Sequence, residues 1–296
     1  MSNINSWPSK SLVGYVSAYG SSVPANVSDN MIREAIQNKY TVFVYAFGYV
    51  HKDNQVSLPS GVETPVSNLA EQINMIHQAG GLALLSFGGQ NNTFLPTDPV
   101  EAAKNTVLLC QYHGFDGVDL DLEDIEVGVD FLDLYVSTIR QKDSSLFITA
   151  APQIAGGYGG PASLAPANVF TTSFLKSANF DALFIQEYNQ YGGAVFDGLQ
   201  DTDVGFISAS YGPLTKIVPA RTKIVVGEPA SGSAGSGLSD PSDVVKDIDS
   251  GEVMQSPQYG GIMVWSINFD YEQDWSFSRT VHQVVEPVSS FETLEA

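Results

Sequence analysis

Three carboxylates alternate with apolar residues in the segment Gly117–Glu123. Asp119, Asp121 and Glu123 are separated by Leu120 and Leu122. Side chains of a β-strand repeat every two residues, so the three acids lie on one face if this segment is a strand. Neighbours on that face stand about 7 Å apart, close enough for like charges to raise the pKa of at least one carboxyl group. A carboxyl group that keeps its proton near neutral pH can act as a general acid.

An acidic stripe of this kind could also bind a cation or simply face water. The alternate positions hold Val118, Leu120 and Leu122, as expected for a strand whose other face packs under helices. The acids then point into a confined interior, where unpaired carboxylates are costly. This cost favours a functional role for the three acids.

The segment around these acids, Asp116–Glu123, resembles a family signature. Its sequence DGVDLDLE is similar to the D-G-x-D-x-D-x-E motif of glycoside hydrolase family 18, the family of chitinases and endo-β-N-acetylglucosaminidases. Three other segments extend the resemblance over nearly the whole chain. Leu84–Gly89 is similar to the S-x-G-G motif of the family's third strand. Gln186–Asn189 is similar to the sixth-strand Q-x-Y-N motif of hevamine-like plant and bacterial chitinases, and Met263–Ser266 is similar to the eighth-strand tryptophan segment.

Glu187 departs from the aromatic residue that hevamine has at this place in the sixth-strand motif. Alternation with Gln186 and Tyr188 predicts that Glu187 faces away from the site, in which case the departure does not affect catalysis. A bulge in this strand would instead put the assignment of its neighbours in doubt.

The order of predicted elements indicates an α/β protein built as a TIM (β/α)8 barrel. Eight apolar or β-branched strand candidates recur with helical patterns between them, which predicts a closed parallel sheet with the active site at the carboxyl ends of the strands. We expect one catalytic domain over residues 1–296. The predicted strands are Leu12–Ala18, Thr41–Phe47, Leu82–Phe87, Gly117–Glu123, Leu146–Ala151, Ala182–Tyr188, Lys223–Gly227 and Gly261–Ile267.

The spacing of apolar residues predicts helices over Val66–Gln78 and Val129–Ile139. The interval after the seventh strand is too short for the small α+β insertion that walls the cleft of many larger family members. An open groove follows, similar to that of endo-acting hevamine-type enzymes, although the loop Asp53–Glu63 could still form a wall.

The resemblance implies a substrate-assisted mechanism. Glu123 would protonate the glycosidic oxygen while the 2-acetamido carbonyl of the substrate attacks the anomeric carbon, which gives an oxazolinium ion and retains the anomeric configuration. Asp121 would orient the acetamido N–H and offset positive charge, and Asp119 would hold a proton and help Asp121 change partner. Tyr188 would donate its hydroxyl to the acetamido oxygen, unless it only packs in the barrel mouth. No cofactor is required.

Further residues are expected to bind substrate or support the site. Trp265 would form an apolar floor under the sugar, since an aromatic face stacks on the C–H surface of a pyranose ring. Phe47 is a further candidate sugar contact. For both residues the alternative role is packing in the core. Ser86 would hydrogen-bond the inner acids as a supporting residue. The other expected substrate-binding residues are Gln186, Asn189, Gly88 and Gly89.

Composition restricts the partners. The formal net charge of −20 makes nucleic acid and anionic membranes unfavourable partners, since both carry the same sign. We expect chitin or N-acetylglucosamine oligosaccharides as partners, and a monomer. The single cysteine, Cys110, excludes an internal disulfide, and the four histidines lack metal-ligand spacing, so no metal site is expected.

Three functions fit these observations: a chitinase, an endo-β-N-acetylglucosaminidase that acts on N-glycans, and a catalytically silent lectin or inhibitor on the same barrel. Retention of Glu123, Asp121 and Tyr188 together favours an enzyme. The sixth-strand motif favours a chitinase. An extracellular location suits a polymer substrate although no signal peptide is visible near residue 1, and the cytoplasm is the alternative.

Overall fold

The barrel predicted from the sequence is confirmed. A computed structural model describes residues 7–18, 24–123, 125, 127–250 and 253–285. Each of eight strands pairs in parallel with the next, and the eighth pairs with the first, so the sheet closes. The strands are β1 (Ser11–Ser17), β2 (Val42–Val50), β3 (Leu82–Gly88), β4 (Gly117–Asp121), β5 (Phe147–Ala150), β6 (Ala182–Gln186), β7 (Lys223–Pro229) and β8 (Tyr259–Trp265).

Helices follow the strands and cover the outside of the barrel. They are α1 (Asp29–Gln37), α2 (Leu69–Gln78), α3 (Pro99–His113), α4 (Val129–Lys142), α5 (Thr172–Ala178), α6 (Phe206–Ile217), α7 (Pro241–Ser250), α8 (Ile267–Glu272) and α9 (Ser276–Val281). A 3₁₀ turn, His282–Val284, follows α9. None of the helices in the described part of the chain has the length and hydropathy needed to cross a membrane.

Local sequence explains where the helices begin and end. The carboxylate of Asp98 accepts the backbone N–H groups of Val100 and Glu101 at the start of α3, and Pro99 needs no N–H partner there. Gly114 ends the same helix in the left-handed conformation, at φ +83°.

Short strands follow the carboxyl ends of β2, β5 and β6. Val56–Ser57 pairs antiparallel with the end of β2. Gln153–Gly157 forms a hairpin with Ser163–Ala165, and Ala194–Val195 lies beside it. Ser57 and Gln153 of these segments line a cavity at the strand ends.

Strand alternation separates two apolar cores. Tyr15, Phe184 and Met263 pack inside the barrel. Ile185 and Val226, at intervening positions, pack between the barrel and the helices. Each strand therefore presents every second residue to the interior, which fixes where the polar side chains at the strand ends point.

Several predicted boundaries are wrong. Glu123 and Tyr188 lie two residues beyond the ends of β4 and β6 rather than within them. Val66 is exposed and precedes α2, because the helix begins after Asn68, whose side chain accepts the N–H of Glu71. The apolar residue Ile267 begins α8 and does not extend the eighth strand.

The stretch after β7 agrees with the predicted lack of an insertion. Between β7 and β8, residues 230–250 and 253–258 contain α7 and loops, without a further strand. Near the start of the described chain, Trp7 packs against Phe147 and Phe184 inside the barrel.

Gly261 is required where β8 joins β1. It has φ +107°, and a Cβ atom there would lie 2.0 Å from the carbonyl oxygen of Ser11. We expect Gly261→Ala to lower the free energy of unfolding by about 3 kcal/mol, because the backbone strain and the overlap add. Urea denaturation measures this loss.

Gly212 in α6 is the matched control. A Cβ atom there has no neighbour within 4 Å, so Gly212→Ala should leave stability unchanged or raise it by up to about 1 kcal/mol through helix propensity. Equal effects of the two substitutions would contradict the close approach at Gly261.

Candidate active site

Asp119 lies at the centre of a hydrogen-bond network inside the barrel. It is fully buried and faces inward from β4. The hydroxyls of Tyr15 and Ser86 donate to its Oδ2, each at 2.7 Å, and Thr149 donates to its Oδ1 at 2.7 Å. Burial raises the pKa of Asp119, and these hydrogen bonds offset part of the rise because they favour the charged form.

Asp121 lies one pleat closer to the mouth. The side-chain amide of Gln186 donates to its Oδ1 at 3.0 Å and to the carbonyl oxygen of Ala151 at 2.9 Å. Burial first, and then the charges of Glu123 and Asp119, hold the pKa of Asp121 well above its ordinary value.

Glu123 follows the end of β4 and is only partly buried. Burial raises its pKa, while hydrogen bonds to Gln186 and Asp121 lower it. The same contact with Glu123 raises the pKa of Asp121, so the two carboxyl groups together keep a proton to higher pH than separate, exposed carboxyl groups would. Two carboxyl groups that retain one proton between them can protonate a bound group and later take a proton back.

Tyr188 faces the same space from the segment after β6. Its side chain is buried, and burial followed by the charges of Asp121 and Glu123 raises the pKa of its hydroxyl. The loop after β7 packs on this side chain through glycines: a Cβ atom at Gly237 would lie 2.7 Å from the Cβ of Tyr188, and one at Gly235 would lie 3.3 Å from a ring carbon. Because its pKa is raised, the Tyr188 hydroxyl keeps its proton and remains available as a donor.

These groups line a cavity of about 810 Å³ at the carboxyl ends of the strands. Phe47 and Trp265 form one wall, with ring centroids 6.1 Å apart and planes inclined by 19°. Tyr15 supports the indole of Trp265 from the barrel interior, at 5.6 Å between centroids. The cavity thus combines acids with a flat aromatic surface.

Gly88 and Gly89 allow the backbone to approach the acids. A Cβ atom at Gly88, which has φ +116°, would lie 1.9 Å from the carbonyl oxygen of Asp121, and one at Gly89 would lie 2.5 Å from the ring of Phe47. Gly88 lines the cavity. Gly89 donates its N–H to the Asp121 carbonyl oxygen at 2.6 Å.

Asn189 lines the cavity but also holds the loop that follows β7. Its side-chain oxygen accepts the N–H of Ser236 at 2.7 Å, and its own N–H donates to the carbonyl oxygen of Ser236. Part of its bonding capacity is therefore used for the wall of the site rather than for a ligand.

Glu187 points away from the cavity, in the direction that strand alternation predicts. It is fully buried in the helix layer, where the hydroxyl of Ser210 in α6 donates to both of its oxygens at 3.1 Å. Burial raises the pKa of Glu187 to about 8.

Several cavity residues were missed by the sequence reasoning. Tyr49, His51, Gln153 and Tyr191 all line the cavity. The period of two in Phe47-x-Tyr49-x-His51 is a signal that could have identified two of them. The loop Asp53–Glu63, which was expected to form a possible wall, contributes Ser57, Leu58 and Ser60 to the lining.

Among the residues that the structure describes, no three His, Cys, Asp or Glu side chains are grouped so that they could hold a metal ion. Cys110 is buried, and burial raises the pKa of its thiol to about 12, which makes it a poor nucleophile.

Known proteins with sequences similar to this chain include chitinases. The family model described as "Glycosyl hydrolases family 18" matches residues 11–255. Chitinase 3 of Candida albicans is 30% identical over 241 residues, which cover 74% of this chain and 38% of that protein. A chitinase of Enterococcus faecalis is 25% identical over 300 residues, which cover 91% of this chain and 81% of that one.

Comparison with solved structures supports the fold alone. A family GH18 chitinase from Chromobacterium violaceum has a TM-score of 0.76 at 20% identity, with 95% of this chain and 85% of that chain covered. The xylanase and α-amylase inhibitor protein XAIP-II from Scadoxus multiflorus has a TM-score of 0.68 at 21% identity, with 93% and 98% covered. The same barrel therefore occurs both in an enzyme and in an inhibitor.

The raised pKa of Asp121 predicts a pH-dependent stability. Its folded-state pKa is raised, so above about pH 4 the folded protein holds a proton that the unfolded chain has released. The free energy of unfolding then falls with pH by up to about 1.4 kcal/mol per unit until the raised pKa is passed. Asp121→Asn removes this dependence, because the amide mimics the protonated acid.

Urea denaturation of both proteins at pH 5, 6 and 7 measures the effect. The stability of the variant relative to the wild type should rise across this range. Glu272→Gln, at an exposed position, should keep the wild-type slope. Parallel curves for Asp121→Asn and the wild type would contradict the raised pKa of Asp121.

Proposed function

Because the chain belongs to glycoside hydrolase family 18, we propose that it is a retaining, endo-acting chitinase that hydrolyses β-1,4-linked N-acetylglucosamine polymers. One observation carries the proposal: the proton-sharing pair Asp121 and Glu123 lies beside the Tyr188 hydroxyl in a single cavity. A site that only bound a sugar would have no need of an acid poised to exchange a proton.

Glu123 is the proposed general acid and base. It protonates the glycosidic oxygen as the C1–O bond breaks, and the acetamido oxygen of the same sugar attacks C1 to form the oxazolinium ion. Water then adds to C1 and gives a proton back to Glu123, while the C1–O bond of the oxazolinium ring breaks. Two displacements at one carbon retain the anomeric configuration.

Asp121 is proposed to change partner during this cycle. In the free protein Asp121 and Glu123 retain a proton between them; with substrate bound, this proton passes to Glu123 and the Asp121 carboxylate accepts the acetamido N–H. Its negative charge then faces the developing oxazolinium. Asp119, held by three hydroxyls, would assist by taking up or releasing a proton next to Asp121.

Tyr188 and Trp265 are proposed to bind the sugar at the cleavage point. The Tyr188 hydroxyl would donate to the acetamido oxygen, and the Trp265 indole would stack under the ring. Gln186, which already orients Asp121, would position the acid. Phe47, Asn189 and Gly88 would complete the walls.

The cavity fits an uncharged ligand. The described residues that line it include no lysine or arginine, so it offers no counter-charge to a phosphate, sulfate or carboxylate. Chitin or its neutral oligomers suit such a lining, and a polymer of this kind is met outside the cell. Acidic oligosaccharides should bind less well.

A catalytically silent carbohydrate-binding protein is the second candidate, because a solved inhibitor protein shares this barrel. The retained acids count against it. Hydrolysis assays separate the two, since an inhibitor would bind without turnover.

We expect Glu123→Gln to lower kcat on chitohexaose by about a thousandfold while oligomer binding persists, because the amide keeps the shape of the acid but cannot donate its proton to the leaving group. Mass spectrometry follows the products, and anomeric NMR at early times should detect the β-anomer. Glu63→Gln, at an exposed position in a short hairpin, is the control and should keep full activity.

Three outcomes would change the assignment. Full activity of Glu123→Gln would remove Glu123 as the acid. Cleavage of an N-glycosylated protein but not of chitohexaose would indicate an endo-β-N-acetylglucosaminidase. The absence of turnover on both substrates by the wild type, with binding retained, would indicate the silent protein.

Tyr188→Phe should lower kcat by about a hundredfold and change KM little, since the hydroxyl is proposed to act mainly on the acetamido oxygen as it attacks C1. Steady-state kinetics on chitohexaose measure both constants. Tyr112→Phe, on the exposed face of α3, is the matched control. An unchanged kcat in Tyr188→Phe would restrict Tyr188 to packing.

A further inference from the structure

The wall of the cavity formed by β2 carries three rings in a row. Phe47, Tyr49 and His51 follow one another at every second residue and all line the cavity, whereas Gly48 and Val50 between them are buried. Side chains on one face of a strand advance by about 7 Å per pair of residues. The rings therefore extend outward from the acids as a ladder.

The ladder contains two separate flat surfaces. Phe47 belongs to the wall that it forms with Trp265. Tyr49 and His51 stack on each other, with ring centroids 4.4 Å apart and planes inclined by 26°. The His51 Nε2 atom is 3.0 Å from the hydroxyl of Ser57, a hydrogen bond that fixes the orientation of the imidazole. The second surface lies farther from Glu123 along the strand.

This outer part of β2 is held on both edges. On one side Tyr49 is paired with Ser57 in an antiparallel ladder. On the other side Val50 donates its N–H to Thr93 and accepts the N–H of Leu95, both at 2.8 Å. The rings are therefore fixed before any ligand arrives, which reduces the entropic cost of binding.

The surroundings of the two rings suit a sugar. Both rings are only partly buried. The Ser57 hydroxyl lies beside His51, and the polar side chains of Ser60 and Gln90 also line the cavity. A flat apolar face edged by hydroxyl and amide groups matches a pyranose ring, which has an apolar C–H face and a polar rim.

We propose that Tyr49 and His51 form an outer sugar-binding platform that takes up an N-acetylglucosamine unit remote from the cleaved bond. Only oligomers long enough to occupy both the catalytic centre and this platform gain from it. The platform thus selects chain length. The ligand named here rests on the proposed function, whereas the platform itself rests on the ring geometry.

The test uses binding to the Glu123→Gln protein, which is not expected to consume its ligand. Isothermal titration calorimetry gives Kd for chitotriose and chitohexaose with this protein alone and with Tyr49→Ala or Tyr49→Phe added. We expect Tyr49→Ala to weaken hexamer binding about tenfold and trimer binding less than twofold, since one aromatic contact is worth about a factor of ten at most. Tyr49→Phe keeps the ring and should restore hexamer affinity.

Kinetics in the otherwise wild-type protein give a second readout. Tyr49→Ala and His51→Ala should raise KM for chitohexaose with kcat nearly unchanged, because the contact acts far from the reacting bond. Tyr112→Ala is the matched control: its ring also contacts a histidine, His113, but it lies on α3, is 84% exposed, and is not among the residues that line the described cavities. It should change neither constant.

The possible failures are distinguishable. Equal effects of Tyr49→Ala on trimer and hexamer, or no effect on either, would overturn the platform while the proposed function stands. Failure of Tyr49→Phe to restore affinity would overturn stacking as its basis. If the Glu123→Gln protein binds no oligomer and the wild type cleaves none, the proposed function fails, and the sugar assigned to the platform fails with it.

Discussion

The burial of acids without a cation constrains the rest of this structure. Asp119 and Asp121 are almost completely removed from water at the centre of the barrel, and no lysine or arginine is found among the described residues that line the cavity. An unpaired carboxylate in such a place is costly, so each acid must accept hydrogen bonds or keep a proton. Asp119 accepts three hydrogen bonds, whereas Asp121 and Glu123 retain a proton between them.

The donors to these acids come from four different strands, so the site exists only because the sheet closes in one register. Ser86 and Thr149 are the direct neighbours of Asp119 on β3 and β5, and Tyr15 reaches it across the barrel from β1. The side-chain amide of Gln186 on β6 donates a hydrogen bond to Asp121. A slip of one residue in β4 would turn both acids into the helix layer and separate them from every donor. The fold and the pKa values of the acids are therefore set together.

The period of two explains what could be predicted from the sequence and what could not. Alternation places Asp119, Asp121 and Glu123 on one face and Glu187 on the other, because this rule depends only on local geometry. The strand ends depend on long-range hydrogen bonds, such as that from Gly89 to the Asp121 carbonyl oxygen, and no local pattern encodes them. Ile267 continues an apolar run but begins a helix. The next residue, Asn268, bonds to the backbone of Ser17 and of Ala25, contacts with residues more than 200 positions away.

A second layer of buried acids extends the same constraint to the whole molecule. Glu228 lies beside Glu187 where β7 follows β6, and both are fully buried on the helix side. Burial raises the pKa of each, as it does for Asp121 and Glu123 inside the barrel. Each group with a raised pKa holds a proton in the folded state that the unfolded chain has lost near neutral pH, so each reduces stability as pH rises toward its folded-state pKa. The net charge of −20 acts in the same direction, since protonation at lower pH relieves self-repulsion. A barrel that buries several carboxyl groups with raised pKa values is therefore more stable in mildly acidic conditions, in which the proton shared by Asp121 and Glu123 is also retained.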